Sequence, residues 1–296
     1  MNSEPDWDLY RSFAAVLREG SLSGAARSLG LTQPSVARHV DALEAAIGTT
    51  LFLRTQRGLS PTDAALRLKP HVEALVATSA ALLRAAADHA GQVRGTVRIS
   101  ASEVVGVEHL PPILAELRRR HPALGIELVL SNSIDDLLGR QADIAIRMVE
   151  PVQQALVTRK VGAVEVGLHA RRDYLDRCGV PETMEALAGY DLIGFDAETP
   201  AIRAMAGRYP MLRRRLFALC ADSDLAQLAA IRAGFGIGFC QVQVARRSRE
   251  LVRVLEHDCA IELGLWIVMH EDLRASASCR AAFDALAARL GAIARG

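Results

Sequence analysis

Between residues 7 and 48 apolar side chains recur at helical spacing, and glycines cut the pattern into three pieces. Leu9, Phe13, Val16 and Leu17 predict a first helix, opened by Asp6 or Asp8 and stopped at Gly20. Ser23 reads as the cap of a short second helix over 24–29, where Ala25 and Ala26 allow close packing and Gly30 ends the run. Thr32 caps a third helix, with Pro34 in the first turn, where its missing N–H does no harm. At about 100° per residue, Val40, Leu43 and Ile47 fall within about 40° of Val36, giving one inward stripe that Gly48 terminates. Short extended runs at 51–54 and 58–60 flank the turn Thr55-Gln56-Arg57-Gly58 and predict a small β-hairpin. An Ala- and Leu-rich stretch over 62–89 predicts a single helix, roughly 42 Å long.

After Gly95 the texture changes. Strands are predicted at 97–99, 126–130, 144–147, 164–170, 192–195, 216–220, 236–240 and 261–269. Helices are predicted over 110–120, 134–140, 225–233 and 276–293, the first opened by Pro111-Pro112 and closed by Pro122. Such alternation predicts open α/β sheets, and Gly91 and Gly95 bracket a hinge before them. The strand at 263–269 and the final helix are expected to rejoin the first lobe, leaving a cleft between two lobes.

Composition narrows the function. The chain has 296 residues, half of them apolar, enough for about two domains with full cores. Its net charge of +1 excludes a general cationic coat, so any nucleic-acid site must be a local patch. All but Lys69 and Lys160 of the 35 cations are arginine, which favours planar, bidentate contacts. Five cysteines without a CxxC argue for a reducing compartment, and Cys220 and Cys240 read as strand-interior core residues. The polar start and the lack of any apolar run near ~20 residues predict a soluble cytoplasmic protein without membrane contact.

The second and third helices with the turn at 30–32 make a helix-turn-helix. With the stripe turned inward, Pro34 and Arg38 lie on the opposite face with Ser35 flanking, where they can reach base edges in a major groove. Thr32 and the helix start can meet a phosphate. Arg54 and Arg57 flank the hairpin tip and suit backbone or minor-groove contact. The run from Ser21-Leu22-Ser23-Gly24-Ala25-Ala26-Arg27 through Leu31-Thr32-Gln33-Pro34-Ser35-Val36-Ala37-Arg38-His39-Val40 resembles the DNA-binding signature of LysR-type transcriptional regulators. The likeness continues through Leu51-Phe52, Arg57-Gly58, Pro61-Thr62-Asp63-Ala64, His121-Pro122, 142–147 and Gly234-Phe235-Gly236-Ile237-Gly238.

That resemblance implies an N-terminal all-α winged helix-turn-helix plus a long linker helix, then a C-terminal α/β two-lobed, periplasmic-binding-protein-like domain. The expected boundaries are 1–62 for DNA binding, 63–92 for the dimerisation helix and 93–296 for the effector domain. Within the last, lobe I covers 93–163 and 264–296, and lobe II covers 164–263. The partner implied is double-stranded operator DNA, met by Ser23, Thr32, Gln33, Pro34, Ser35, Arg38 and His39 together with Arg54 and Arg57. The apolar seam of the long helix, with Leu66, Val72, Leu75, Val76, Leu82 and Leu83 beside His71, calls for a second subunit, as a homodimer or a dimer of dimers. Ala65 stands where the family usually has Gly, Ala37 where Ser is common, and Asp41 where a basic or polar residue is frequent. The last two remove phosphate contacts and leave more to Arg38, Arg54 and Arg57.

A small-molecule effector is expected where polar loops follow strands: Ser100 and Ser102, Ser131, Asn132 and Ser133, Asp196, and Ser223 at a helix start. Hydroxyls facing a positive helix terminus favour a small carboxylate, with an uncharged polar ligand as the alternative. No GxSxG, HExxH, GxxxxGK[ST] or CxxC occurs, so no catalytic residue, metal site or cofactor is expected. The glycines at 234–238 follow a helix and precede a strand, the reverse of a dinucleotide loop. The rival reading is a two-lobed solute-binding protein or small-substrate enzyme with an incidental helical N-terminal domain.

Overall fold

Gly20, Gly30 and Gly48 all take left-handed backbone, at φ +65°, +68° and +68°, and each stops a helix. They separate α1 (Trp7–Glu19), α2 (Leu22–Leu29) and α3 (Gln33–Ile47) in the computed structural model, which describes residues 4–55, 58–86, 92–132, 142–150, 156–197, 200–209 and 213–294. Helix α2 starts earlier than its pattern predicts. Its cap is Ser21, which has the extended backbone a cap needs and accepts from Gly24 N at 3.1 Å; Ser23 is exposed inside the first turn. Phe13, Val16, Ala25, Val36, Val40 and Leu43 pack together with Leu51, Ala65 and Val72. Ile47 does not join them. It is the last residue before Gly48, past the edge of this small core, and stays 38% exposed.

Strands β1 (Phe52–Thr55) and β2 (Gly58–Pro61) form an antiparallel pair. Glu44 of α3 anchors it, its Oε1 accepting from Leu51 N at 2.5 Å and Phe52 N at 3.1 Å. Thr62 caps α4 (Asp63–Ala86) by accepting from Ala65 N at 3.2 Å. Pro70 lies inside α4, where its missing N–H leaves the Leu66 carbonyl without its helical donor. Val72 reaches the core of this unit, whereas Leu66, Leu75, Leu82 and Leu83 are exposed.

The chain divides into two compact units, 1–89 with 134–143 and 90–133 with 144–296. The predicted helix at 134–140 and Gly91 lie outside the described residues. The second unit begins with β3 (Gly95–Ala101), a π-helical turn at Val105–His109 that the sequence pattern did not predict, α5 (Leu110–Arg120), β4 (Leu124–Leu130) and β5 (Ile144–Arg147). Next come β6 (Leu156–Arg171), α6 (Arg172–Cys178), β7 (Leu192–Phe195), α7 (Pro200–Arg208), β8 (Phe217–Ala221), α8 (Asp224–Arg232) and β9 (Gly238–Gln241). The chain ends with α9 (Val242–Ala245), β10 (Leu251–Arg253), β11 (Ala260–His270) and α10 (Ala277–Ile293).

Two long strands tie the lobes together. β6 and β11 pair antiparallel from Ala260↔Gly167 to His270↔Leu156. The register runs from Leu265↔Gly162 to Trp266↔Lys160, so Val161 is an extra residue that bends the ladder between the lobes. At one end β11 continues into the parallel set β5-β3-β4; at the other, β6 carries β10 and β9. Strands β7 and β8 form a separate parallel pair. Lobe I buries Ile99, Leu110, Leu124, Ile146, Ile267 and Leu286, and lobe II buries Leu168, Tyr174, Leu187, Leu192 and Ile237.

The glycine cluster at 234–238 is structural. A Cβ on Gly236 would sit 1.9 Å from the Asp191 carbonyl oxygen, and Gly234 has φ +76°. Only glycine lets this turn lie against the segment before β7.

Candidate functional site

The N-terminal unit presents the start of α3 to solvent. Thr32 Oγ1 accepts from Ser35 N at 3.3 Å and shares a 2.8 Å hydrogen bond with Ser35 Oγ. Thr32, Gln33, Pro34 and Arg38 are exposed, opposite buried Val36 and Val40. No acidic residue occupies the first turn of α3. His39 is half-buried, and its Nδ1 shares a 2.7 Å hydrogen bond with Oγ of buried Ser12, which braces α3 against α1. The Arg54 side chain and residues 56–57 lie outside the described residues.

The second unit holds a cavity of about 420 Å³ between its lobes. Lobe I supplies Ser102, Val104 and Met148; Phe195, Tyr209, Leu228, Phe239, Ile261 and Leu263 make most of the opposing wall apolar. Asp224, Gln227, Gln241 and Arg208 supply its polar groups. Two polar clusters bridge the lobes. In the first, Glu103 Oε2 accepts from Ser223 Oγ at 2.7 Å and from Leu225 N at 3.3 Å, while Asn132 joins Glu103 N at 3.2 Å to Asp224 Oδ2 at 3.0 Å. Burial and the neighbouring Glu103 charge hold the Asp224 carboxyl above the usual carboxylate range.

In the second cluster, the π-helical turn aims Glu108 and His109 at lobe II. Arg232 donates to Glu108 at 2.6 Å and holds that carboxyl below its usual range. Arg247 donates to His109 Nδ1 at 2.8 Å, and His109 Nε2 meets Gln241 Oε1 at 2.9 Å. Burial, with the Arg247 charge adding to it, lowers the His109 imidazole below its ordinary value. An interruption of α-helical geometry at such a place is a common device for presenting side chains.

A family model described as the LysR substrate binding domain matches residues 90–291. A second, described as a bacterial regulatory helix-turn-helix protein of the lysR family, matches residues 7–66. The chain belongs to the LysR family of transcriptional regulators. An HTH-type transcriptional regulator of Xanthomonas campestris pv. campestris is 32% identical over 173 residues, covering 57% of this chain and about half (49%) of that protein. The probable HTH-type transcriptional regulator LtrA of Klebsiella pneumoniae is 25% identical, over 99% of this chain and 96% of that one. The full-length structure of the Vibrio cholerae virulence activator AphB shares the fold, with a TM-score of 0.62 at 22% identity over 95% of this chain and 98% of AphB.

In this LysR-family chain the cavity gathers few of the loop residues expected from sequence. Ser102 lines it. Asn132 and Ser223 bind the lobes to each other. Ser100 is buried in β3 and accepts from Arg147 at 2.8 Å, because its side chain points into the sheet layer rather than the cleft. Asp196 sits on the surface in an ion pair with Arg214 at 2.5 Å. Ser131 N continues the sheet by donating to Ala101 O at 2.9 Å, and Ser133 lies outside the described residues. The helix start expected to receive a ligand carboxylate is satisfied by the chain's own Glu103. The apolar wall was missed because Phe195, Phe239, Ile261 and Leu263 look like ordinary strand residues.

Cysteine behaviour divides similarly. Cys240 is buried at the cavity wall, where burial pushes its thiol up to about 12. Cys220, expected inside, is exposed because β8 turns that side of its alternation outward. Among the described residues no group of His, Cys, Asp and Glu could hold a metal, and no helix is long and apolar enough to cross a membrane.

Proposed function

We propose that the chain controls transcription by binding double-stranded operator DNA through paired N-terminal units, and that a small effector in the interlobe cavity changes that binding. The DNA-binding segment is 1–62, the pairing helix lies in 63–92, and the effector domain is 93–296. One observation carries the DNA reading: the start of α3 is capped, exposed and free of acids, on a helix whose other face is locked into a core. In a major groove, Arg38 would read a guanine edge, with Gln33, Pro34 and Ser35 beside it. Thr32, Ser23, Arg54 and Arg57 would meet the backbone or the minor groove. His39 would act chiefly by bracing α3, since its Nδ1 is engaged by Ser12.

Pairing follows from α4, whose exposed Leu66, Leu75, Leu82 and Leu83 would be covered by a second copy. No catalytic step, metal or cofactor enters this reading. The test is binding to operator fragments over a range of salt. If Arg54 and Arg57 each neutralise a phosphate, replacing either lowers the slope of log K against log salt by about 0.9. An unchanged slope with both replaced removes the wing from the interface, and absence of preference for any genomic fragment overturns the reading.

A further inference from the structure

The polar groups left open in the interlobe cavity are mostly acceptors. Asp224 Oδ2 is engaged by Asn132, but Oδ1 has no partner among the described residues. Gln227 lies one turn along the same face of α8. Its Nε2 donates to the Ala221 carbonyl at 3.1 Å, which orients the amide and leaves Oε1 as an acceptor. Ser102 Oγ is buried without a partner among the described residues. An orphaned buried hydroxyl on a cavity wall is a position for a ligand to satisfy.

The opposite end has the reverse polarity, and Arg247 sets it. A guanidinium only donates, so His109 Nδ1 accepts and Nε2–H donates to Gln241 Oε1. The Gln241 amide nitrogen is left toward Met148 Sδ at 3.6 Å, a weak acceptor. The one guanidinium among the described lining residues, Arg208, is exposed and stacks over Tyr209 at 5.4 Å from the ring centroid. The start of α8, where an anion would settle, is taken by Glu103. Asp224 therefore places a carboxylate on the cavity wall beside Ser102 and Gln227, with the Glu103 carboxylate directly behind it. Burial first, and then the neighbouring Glu103 charge, raise the Asp224 carboxyl, and a bound cation would relieve both.

We propose that the effector is a small primary amine with an apolar body, its ammonium held by Asp224, Gln227 and Ser102 and its body among Phe195, Phe239 and Ile261. The proposal rests on the reading of this cavity as the effector site. An ammonium brings three donors, and the three open groups can each accept one. At about 30 Å³ per water in the liquid, 420 Å³ corresponds to roughly fourteen waters, room for one ring with a short chain.

Titration calorimetry on the full chain with 2-phenylethylamine, 2-phenylethanol and phenylacetate compares three heads on one body. The amine should bind at least about tenfold more tightly than the alcohol, and phenylacetate more weakly than either. Asp224→Asn, which keeps an oxygen for Asn132, should abolish the amine's advantage and leave the alcohol within about twofold. Tightest binding by phenylacetate, an amine preference that survives in Asp224→Asn, or no amine binding at millimolar concentration overturns the proposal. Ile261→Trp, with Val104→Phe as a milder filler should it fail to fold, separates this from the cavity reading. If the alcohol or phenylacetate wins and filling abolishes its binding, only the amine assignment falls. Binding indifferent to both fillers overturns the cavity as effector site.

Discussion

Helices α3 and α8 begin alike. Thr32 accepts from Ser35 N at 3.3 Å, and Ser223 accepts from Ala226 N at 3.4 Å. Each start carries roughly half a positive charge from the aligned peptides behind it. Around α3 no acid lies in the first turn, and the residues from Thr32 to Pro34 face solvent. Around α8 the charge is met internally: Asp224 is in the first turn, and Glu103, 120 residues away in sequence from Ser223, reaches both the cap hydroxyl and Leu225 N. One helix start can take an anion from outside; the other is spent on holding two lobes together. Both caps are hydroxyls accepting in the same way, so the difference lies in the acids near them: local Asp224 and distant Glu103 at α8, none in the first turn of α3.

The largest test of that contrast concerns pairing. If the open start of α3 works only two at a time, Leu75→Glu with Leu82→Glu should give monomers by light scattering. Operator affinity should then fall by at least about a hundredfold, because the avidity of two linked heads is lost. A dimeric double mutant would move the interface away from α4.

Next in size is the reading face itself. Arg38→Ala should weaken operator binding by about 1–3 kcal/mol, and random DNA less. Equal losses on both would make Arg38 a phosphate contact.

The filled start can be opened. Glu103→Ala removes two acceptor contacts at α8 and should lower unfolding stability by roughly 1–3 kcal/mol in denaturant titrations. It should also raise phenylacetate affinity, since an anion could then settle on the vacated helix start. Thr32→Ala should lower stability by only about 1 kcal/mol while also weakening operator binding. Equal profiles for the two variants would erase the distinction between the helix starts.

The smallest effect is in pH. His109 and His169 are both lowered by burial, so the unfolded chain, near about 6.5, binds protons first as the solution acidifies. Their contribution to stability is present above about pH 6.5 and is lost as the pH falls below it. The raised Asp224 carboxyl acts in the opposite direction, at lower pH, and offsets part of the loss. His109→Gln should flatten the profile just below about pH 6.5 in thermal unfolding scans. A profile unchanged by the substitution would mean that His109 is not the titrating bridge.

Local signals were enough for the N-terminal unit. Left-handed glycines, a hydroxyl cap and a 3.6-residue stripe act within a few residues of one another, so α1 and α3 could be read directly, and β1 and β2 nearly so. The misplacement of the α2 cap from Ser21 to Ser23 has the same origin: two serines two residues apart offer the same hydroxyl, and only the extended backbone at Ser21 distinguishes them. In the second unit, alternating apolar runs located most strands. The full length of β6 was hidden because its opening residues, Val157-Thr158-Arg159-Lys160, include polar side chains that an interior strand pattern excludes.

The sequence by itself determined the helix-turn-helix, the hairpin, the long helix and the α/β character of the remainder, because those follow from neighbours along the chain. Tertiary structure decided which serines face the cavity, which helix start is still open, and which way the Gln241 amide points. These depend on Glu103, Asn132 and Arg247, partners brought in from distant positions, and hydrogen-bond polarity cannot be assigned until both ends of each bond are known.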